Sequence, residues 1–514
     1  MILNVRLWIP LAALHFLVLT GLAQPDKKQI KEAEKYLTEM VVDWDVPGMS
    51  VAVIQNGEIV LAGGYGIKET GKKDKVDEHS LYAIASNSKA FTATLIGMLV
   101  DEGKLSWDDR VVDYVPYFKL SDPWLTGQVK IKDLLSHRVG LGTFSGDVLW
   151  YKSERSNADI IKSVRHIPLK FDFRDGFGYS NLMYITAGEV IRAVTGNSWA
   201  HEVQERILKP LEMNRTITTP ADLDQKKNYA SPHARTKGEN IPVQWENWQE
   251  IGALGGIISS VTDLTKWATF NLNRGVHNGD TLLKPRTHSR LLTPHNNYFV
   301  PHDAVRNNDT HFSGYGLGWK LNDYKGNMMV SHTGGYDGMI SSFTLIPDQN
   351  LGVVVLTNGV QSPIRAATNY LLDLFIEGEI TEEHSKTGLA GIKRRKENDT
   401  RVADKKAARA QGTKPTFDAD QYAAVYTCDM YGEIEVKKEG DNLRMYFENA
   451  PRLSATLTHW HYDVWKLNWD ETHAWFDFGT VRFETDNDLK ITGLEFDVPN
   501  NDIFFDEIKA KRVK

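Results

Sequence analysis

The stretch GMSVAVIQNGEIVLAGGYG, residues 48–66, reads as two strands around a turn at Asn56-Gly57. That dipeptide suits the left-handed positions of a tight hairpin. Comparable strand patterns return only near YGLGWKL (315–321), MMVSHTGG (328–335) and MISSFTLIPDQNLGVVVLTNG (339–359). Between them, from about 105 to 275, the chain is mostly helical and loop-rich, as in IKDLLSHRVGL (131–141) and MYITAGEVIRAVTG (183–196). Amphipathic spacing predicts a helix over 27–45 before the hairpin and another over 363–377 after the last strand. Strands at both ends with helices between predict an α+β domain whose antiparallel sheet is assembled from distant segments.

The pattern changes after that helix. Residues 379–414 are rich in charge and poor in large apolar side chains, which predicts a partly helical linker. From 417 onward short alternating strands recur with turn signals, as in GEIEVKKEGDNLRMYF, DVWKLNW and AWFDFGTVRFETDNDLKITGLEF. That rhythm predicts a small all-β barrel or sandwich. A chain of 514 residues is long enough for two or three domains. The expected boundaries are a leader at 1–23, a first domain at 24–380, a linker at 381–414 and a second domain at 415–514.

Charge and cysteine content narrow the function. Lys plus Arg is 60 against 67 for Asp plus Glu, a formal charge of -7, so nucleic acid is not expected as a partner. One cysteine, Cys428, permits no intramolecular disulfide and no cysteine-rich metal site. Residues 1–23 carry Arg6, the apolar run LWIPLAALHFLVLTGLA and a small-residue end before Gln24, the makeup of an export signal. Pro10 and His15 interrupt that run, and an uncleaved anchor is the alternative. The expected location is periplasmic or secreted, with no stable membrane span.

Three short motifs carry chemistry. In YAIASNSKAFTATLIGMLVDEG (82–103), Lys89 follows Ser86 by three positions at the start of an apolar helix, so both share one helix face. A serine hydroxyl needs a base within hydrogen-bond reach, and burial lowers the pKa of a lysine. Ser86 is the only serine in the chain with lysine three places on. The second motif, Tyr179-Ser180-Asn181, is the only Tyr-x-Asn. Its phenol can relay a proton, and its amide can serve a substrate amide or Lys89. The third is His332-Thr333-Gly334-Gly335, in VSHTGG at a strand end, where an extended substrate can add to a sheet edge and glycines admit a close backbone. Taken singly, the second and third read more simply as a turn and a strand end.

Together, in this order and with wide gaps, the three motifs resemble those of the serine β-lactamase and penicillin-binding-protein superfamily. The likeness is greatest to the branch with class C β-lactamases, D-alanyl-D-alanine carboxypeptidases, D-aminopeptidases and esterases. IKDLLSHRVGL, ERILKPLEMNRT (205–216) and LGGIISSVTDLTKWA (254–268) also look like this family, so the resemblance spans roughly 27–380. It implies a β-lactamase/transpeptidase-like fold, an antiparallel sheet flanked by helices plus a helical subdomain. The tail resembles, by position and strand rhythm, the lipocalin-like domain some of these hydrolases carry.

The resemblance implies a serine hydrolase that needs no cofactor and no metal. Ser86, Lys89 and Tyr179 would be catalytic, with either Lys89 or Tyr179 as the immediate base. Asn181, His332, Thr333, Gly334 and Gly335 would bind substrate, with the backbone N–H groups of Ser86 and Gly335 as oxyanion donors. The expected substrate is a small molecule or peptide, foremost a D-amino-acid-containing peptide from cell-wall material; esters and β-lactams are alternatives, and a homo-oligomer stays open. Loops at 142–160 and 295–313 are expected to line the cleft. A catalytically silent binding protein of the same fold is the rival of another class.

Some patterns lead elsewhere. Class C enzymes usually have lysine where this chain has His332, which points to peptidases and esterases rather than potent β-lactamases. A Lys-Thr-Gly occurs at Lys386-Thr387-Gly388, but in the charged linker without a strand. GIKETGKK (66–73) is one residue short of a phosphate loop and reads as a turn. His459 and His461 lack an evident third ligand and read as strand residues. His137 resembles a structural position of the family. No Gly-x-Ser-x-Gly elbow exists.

Overall fold

The computed structural model describes residues 25–302, 310–380, 382–440 and 442–513. The expected leader, residues 1–23, and part of the 295–313 loop lie outside them. The first domain is built on eight strands: β1 (Gly48–Gln55), β2 (Glu58–Gly66), β3 (Asn296–Asn297), β4 (Ser313–Tyr315), β5 (Lys320–Tyr324), β6 (Asn327–Tyr336), β7 (Met339–Ile346) and β8 (Leu351–Thr357). They form one sheet in the order β2-β1-β8-β7-β6-β5-β4-β3. Every pairing among them is antiparallel. The N-terminal hairpin thus docks on the last strand, β1 against β8 with Val53 opposite Val353. Asn56 and Gly57 both take positive φ, 53° and 82°, as the Asn-Gly turn requires.

β1 and β8 are buried along their whole length. That makes them near-continuous apolar runs rather than alternating ones. Val51, Val53, Val353 and Val355 face α1 (Lys27–Asp43) and α5 (Ile364–Glu377), where Leu37, Met40, Leu371 and Phe375 meet them. Ala52, Ile54, Val354 and Leu356 face the opposite side, toward α2 (Ser88–Asp101), α3 (Asn181–Thr195) and α4 (Val261–Leu272). α2 is buried from Ser88 through Leu99 and has no polar face, so it is a central helix rather than a surface one.

The stretch 315–321, expected as one strand, is two. β4 and β5 are joined by a turn with Gly318 at φ 80°, where a Cβ would lie 2.8 Å from the Lys89 carbonyl. The close approach of the catalytic-candidate helix forces the break.

The linker region folds into α6 (His384–Asn398) and α7 (Arg401–Ala407). α6 is docked on the first domain: Trp44 Nε1 donates to Ser385 Oγ at 3.0 Å, and Leu389 and Ile392 pack beside α1 and α5. The Lys386-Thr387-Gly388 triplet lies in this helix.

The tail forms a closed antiparallel barrel: β9 (Ala424–Cys428), β10 (Gly432–Glu439), β11 (Asn442–Phe447), β12 (Ala455–His461), β13 (Val464–Trp469), β14 (Gly479–Thr485), β15 (Ile491–Asp497) and β16 (Lys509–Arg512). β16 pairs back onto β9. Closure removes the sheet edges. Tyr422, Tyr426, Met445, Phe447, Leu467, Phe483 and Phe496 are buried in its core.

The barrel is fastened to the first domain beside the functional segments. Arg155 Nη1 donates to the carbonyls of Met430 and Tyr431 at 3.1 and 3.2 Å. Arg452 bridges Glu246 and Glu471, each at 2.6 Å, and buried Lys152 joins the same pair of carboxylates. The Gly146 N–H donates to Glu507 Oε2 at 2.7 Å, while Ser145 Oγ donates to the other oxygen of that carboxylate. Removing Arg452 leaves Glu246 with Lys152 alone. Arg452→Met should therefore lower the stability of the full chain by about 1–3 kcal/mol in denaturant titration, with the loss reproduced at the interface by Glu471→Gln.

Candidate active site

Ser86 lies in a single 3₁₀ turn, Ala85–Asn87, that leads into α2. Ala85 holds φ 47° while fully buried, a left-handed conformation that costs energy for any residue with a Cβ. Bonds to β7 hold the turn: Asn87 Nδ2 donates to Ser341 Oγ at 2.8 Å, and Ser341 Oγ donates to the Ile84 carbonyl at 2.8 Å. The result presents the Ser86 side chain to solvent while its neighbours on both sides are buried.

Lys89 is 0% exposed. Its Nζ lies 3.0 Å from Ser86 Oγ, 2.7 Å from Asn181 Oδ1 and 2.7 Å from the Leu254 carbonyl. A neutral amine has two hydrogens and one lone pair. As an ammonium Nζ donates to all three; once deprotonated, its two hydrogens go to the two pure acceptors and the lone pair is left for Ser86. Burial brings the Lys89 pKa down to about 7, against an opposing pull from Asp147. The short helix Gly252–Gly255 supplies the Leu254 carbonyl, and Thr92 Oγ1 ties that helix to α2 through the Ala253 carbonyl at 2.7 Å.

Tyr179 stands over the same pair: Lys89 Nζ lies 4.9 Å from its ring centroid, and the Ser86 side chain is near enough to temper the effect of burial on the phenol. Burial pushes the phenol above its ordinary pKa, so Tyr179 keeps its proton at neutral pH. His137, with φ 56°, stacks on Tyr179 at 4.2 Å and accepts from the Ser180 N–H at 3.0 Å. It positions the Tyr-x-Asn turn.

Asn181 is turned inward. Its Oδ1 serves Lys89, and its Nδ2 donates to Asp147 Oδ2 at 2.6 Å. Both ends of the amide are thus occupied within the protein. Asp147 is buried, and its pKa is pushed up to about 8 by that burial, against the bond from Asn181 and the charge of Lys89.

His332 is 6% exposed and lies 6.1 Å, ring to ring, from Tyr179. Its Nδ1 lies 2.6 Å from the Thr333 carbonyl, which can only accept, so Nδ1 carries the hydrogen. Nε2 then accepts from the Tyr315 hydroxyl at 2.8 Å. Burial, reinforced by Lys89, brings the His332 pKa down to about 3. The imidazole is neutral and offers no positive charge to a substrate carboxylate. Thr333 and Gly335 are exposed along the strand, and Gly334 is buried between them.

Gly334 fixes how near the third motif comes to the first. A Cβ there would lie 2.1 Å from the Ile84 carbonyl and 3.0 Å from Ser86 N. Only glycine permits β6 to pass this close to the serine turn.

Lys89, Tyr179, Asn181, His332 and Gly334 gather around Ser86, with Thr333 and Gly335 on the same strand as the last two, while His459 and His461 lie in the barrel strand β12, bonded to the Tyr462 carbonyl and the Ala410 N–H. Among the described residues no group of three or more His, Cys, Asp or Glu side chains is placed to hold a metal, and no helix is long and apolar enough to cross a membrane. The motifs did not reveal Asp147, Ser341, Tyr315 or the Leu254 carbonyl. Asp147 sits in the loop expected at the cleft, but one aspartate in a loop carries no spacing signal, and a carbonyl carries none at all.

Known proteins resemble the chain in sequence and in fold. The sequence model described as Beta-lactamase matches residues 33–376, and one described as a domain of unknown function matches 408–512. An unguisins hydrolase of Aspergillus campestris is 32% identical over 354 residues, 63% of this chain and 61% of that protein. The chain therefore spans about three fifths of the length of that curated relative. The octameric penicillin-binding protein homologue from Pyrococcus abyssi superposes with a TM-score of 0.61 at 21% identity, over 94% of this chain and 100% of that one. A D-stereospecific amidohydrolase from Streptomyces sp. gives 0.55 at 21% identity, over 69% and 100%.

Gly334→Ala should push the strand from the serine turn while the fold persists by circular dichroism. A shift of about 1 Å is enough to lower reaction at Ser86 by roughly 100-fold, read as the rate of covalent labelling by a fluorophosphonate.

Proposed function

The chain belongs to the Beta-lactamase family, and on that footing we propose that it is a serine hydrolase working through an acyl-enzyme on Ser86, most suited to amide bonds of D-amino-acid-containing peptides. One observation carries the proposal: buried Lys89 Nζ lies 3.0 Å from Ser86 Oγ and 2.7 Å from both the Asn181 Oδ1 and Leu254 carbonyl acceptors, so that on losing a proton it turns its lone pair to Ser86.

The chemistry follows from those positions. Lys89 Nζ takes the Ser86 proton as Oγ bonds to the substrate carbonyl carbon. The carbonyl oxygen becomes an oxyanion facing the N–H groups of Ser86 and Gly335; a donor of this kind contributes about 3–4 kcal/mol in comparable sites. As the intermediate collapses, the C–N bond breaks and the departing nitrogen takes the Tyr179 proton. The Lys89 ammonium, beside the Tyr179 ring, then gives its proton back to the phenolate, which restores the neutral amine and the phenol. Water then attacks the ester by the same route in reverse, giving the carboxylic acid and free Ser86. With the phenol held protonated and the amine losing its proton at about pH 7, Lys89 serves as base and Tyr179 as acid.

One observation favours amides over β-lactams: the neutral His332 gives no cation where a β-lactam carboxylate would sit. A silent binding protein would not need a buried, costly amine aligned on a serine. Action outside the cytoplasm belongs to the same proposal and rests on the composition of residues 1–23.

A fluorophosphonate should label the wild type and fail on Ser86→Ala; labelling of both would remove Ser86 from the reaction. Lys89→Ala should lose at least about 100-fold in rate with the fold retained. The base works only unprotonated. Labelling should therefore be near its plateau above pH 8 and fall about tenfold per unit as pH drops below 7, following a Lys89 pKa of about 7. A panel of D-Ala-D-Ala peptides, D-aminoacyl amides, short esters and nitrocefin should show highest kcat/KM for the D-aminoacyl amides.

A further inference from the structure

One strand edge in the site lacks a partner, and a side chain from the other domain stands against its end. β5 pairs with β6 from Asn327 to Ser331. β7 pairs with β6 from Val330 to Tyr336. Among the described residues, Thr333 to Tyr336 are therefore paired on one side only. The Thr333 carbonyl shows the free side, since it takes the His332 Nδ1 hydrogen in place of a strand partner.

Trp475 lies in the barrel loop between β13 and β14. A Cβ on Gly335 would be 3.1 Å from its Cη2 and 3.6 Å from its Cζ2, so the indole edge stands beside Gly335 while leaving that residue exposed. The indole is fixed: Nε1 donates to Asp337 Oδ1 at 2.9 Å, and the other oxygen of Asp337 takes the Tyr151 hydroxyl at 2.8 Å. Asp337 is 2% exposed. The near end of the same loop is held where Glu471 meets Arg452 and Lys152. The loop is thus tied at Glu471 and at Trp475, and the indole remains partly exposed.

The direction of the substrate follows from the proton path and so rests on the reading above. The departing nitrogen must reach Tyr179, which stands beside His332. The leaving part therefore lies over the His332–Thr333 end. The acyl part runs the other way, past Gly335, and meets the indole. An extended chain advances about 3.3 Å per residue, so a second acyl residue would enter the space that Trp475 and Asp337 occupy.

We infer that Trp475, supplied by the barrel domain, forms the outer wall of the acyl subsite and restricts the acyl group to a single compact residue. The enzyme is then exo-acting: it releases one residue from the amino end or cleaves simple aminoacyl amides. The C-terminal domain is a component of the specificity pocket as well as a neighbour.

The test compares two p-nitroanilides with the same leaving group, one with a single D-alanyl acyl group and one with an N-acetylated D-alanyl-D-alanyl group. Wild type should favour the first. Trp475→Ala should move the kcat/KM ratio toward the second by at least about tenfold, and Trp475→Phe by less, while fluorophosphonate labelling of Ser86 stays within about threefold. An unchanged ratio in both variants overturns the inference, and so does loss of labelling in both, which would make Trp475 part of the machinery rather than of selection. Failure of the wild type to label would instead overturn the hydrolase reading itself.

Discussion

The site depends on one buried amine. An ammonium taken out of water with no counter-charge is costly, and Lys89 sits at 0% exposure among apolar residues of α2. The structure resolves the cost by letting the amine be neutral and satisfying its two hydrogens with Asn181 and Leu254. Much of the surrounding architecture serves that arrangement. Asp147 orients Asn181, the helix Gly252–Gly255 brings the Leu254 carbonyl, and Thr92 holds that helix to α2. A lysine that merely filled space could snorkel to the surface; this one is hemmed in on every side.

The second constraint is proximity. Three segments far apart in the chain converge on Ser86 because the sheet brings β6 beside the serine turn and α3 begins at Asn181 beside α2. Glycine at 334 and the left-handed Ala85 are the local adjustments that let them close. The barrel extends the same logic. Its Glu507 caps the loop that carries Asp147, and its Trp475 stands at the open edge of β6. The two domains share a site even though each has its own sheet.

Much of this was legible in the chain. The Asn56-Gly57 hairpin, the separation of strands by a helical interior, and the alternating rhythm of the tail all predict elements that local periodicity controls, and those elements are present. The strand expected over 315–321 failed for a nonlocal reason: α2 passes close to Gly318 and bends the chain. The candidate site residues were legible because Ser-x-x-Lys, Tyr-x-Asn and His-Thr-Gly-Gly are patterns. Asp147, Ser341, Tyr315 and Trp475 belong to no pattern, and only their distances reveal them.

The amino-acid sequence by itself determined which side chains can do chemistry and which segments become strands or helices, since both follow from residue type and short-range spacing. Only the tertiary structure decided that the Lys89 pKa falls to about 7, that Asn181 faces inward, that His332 is uncharged and that an indole from the barrel stands beside Gly335. Protonation and orientation depend on burial and on partners hundreds of residues away, and those are properties of the packed chain.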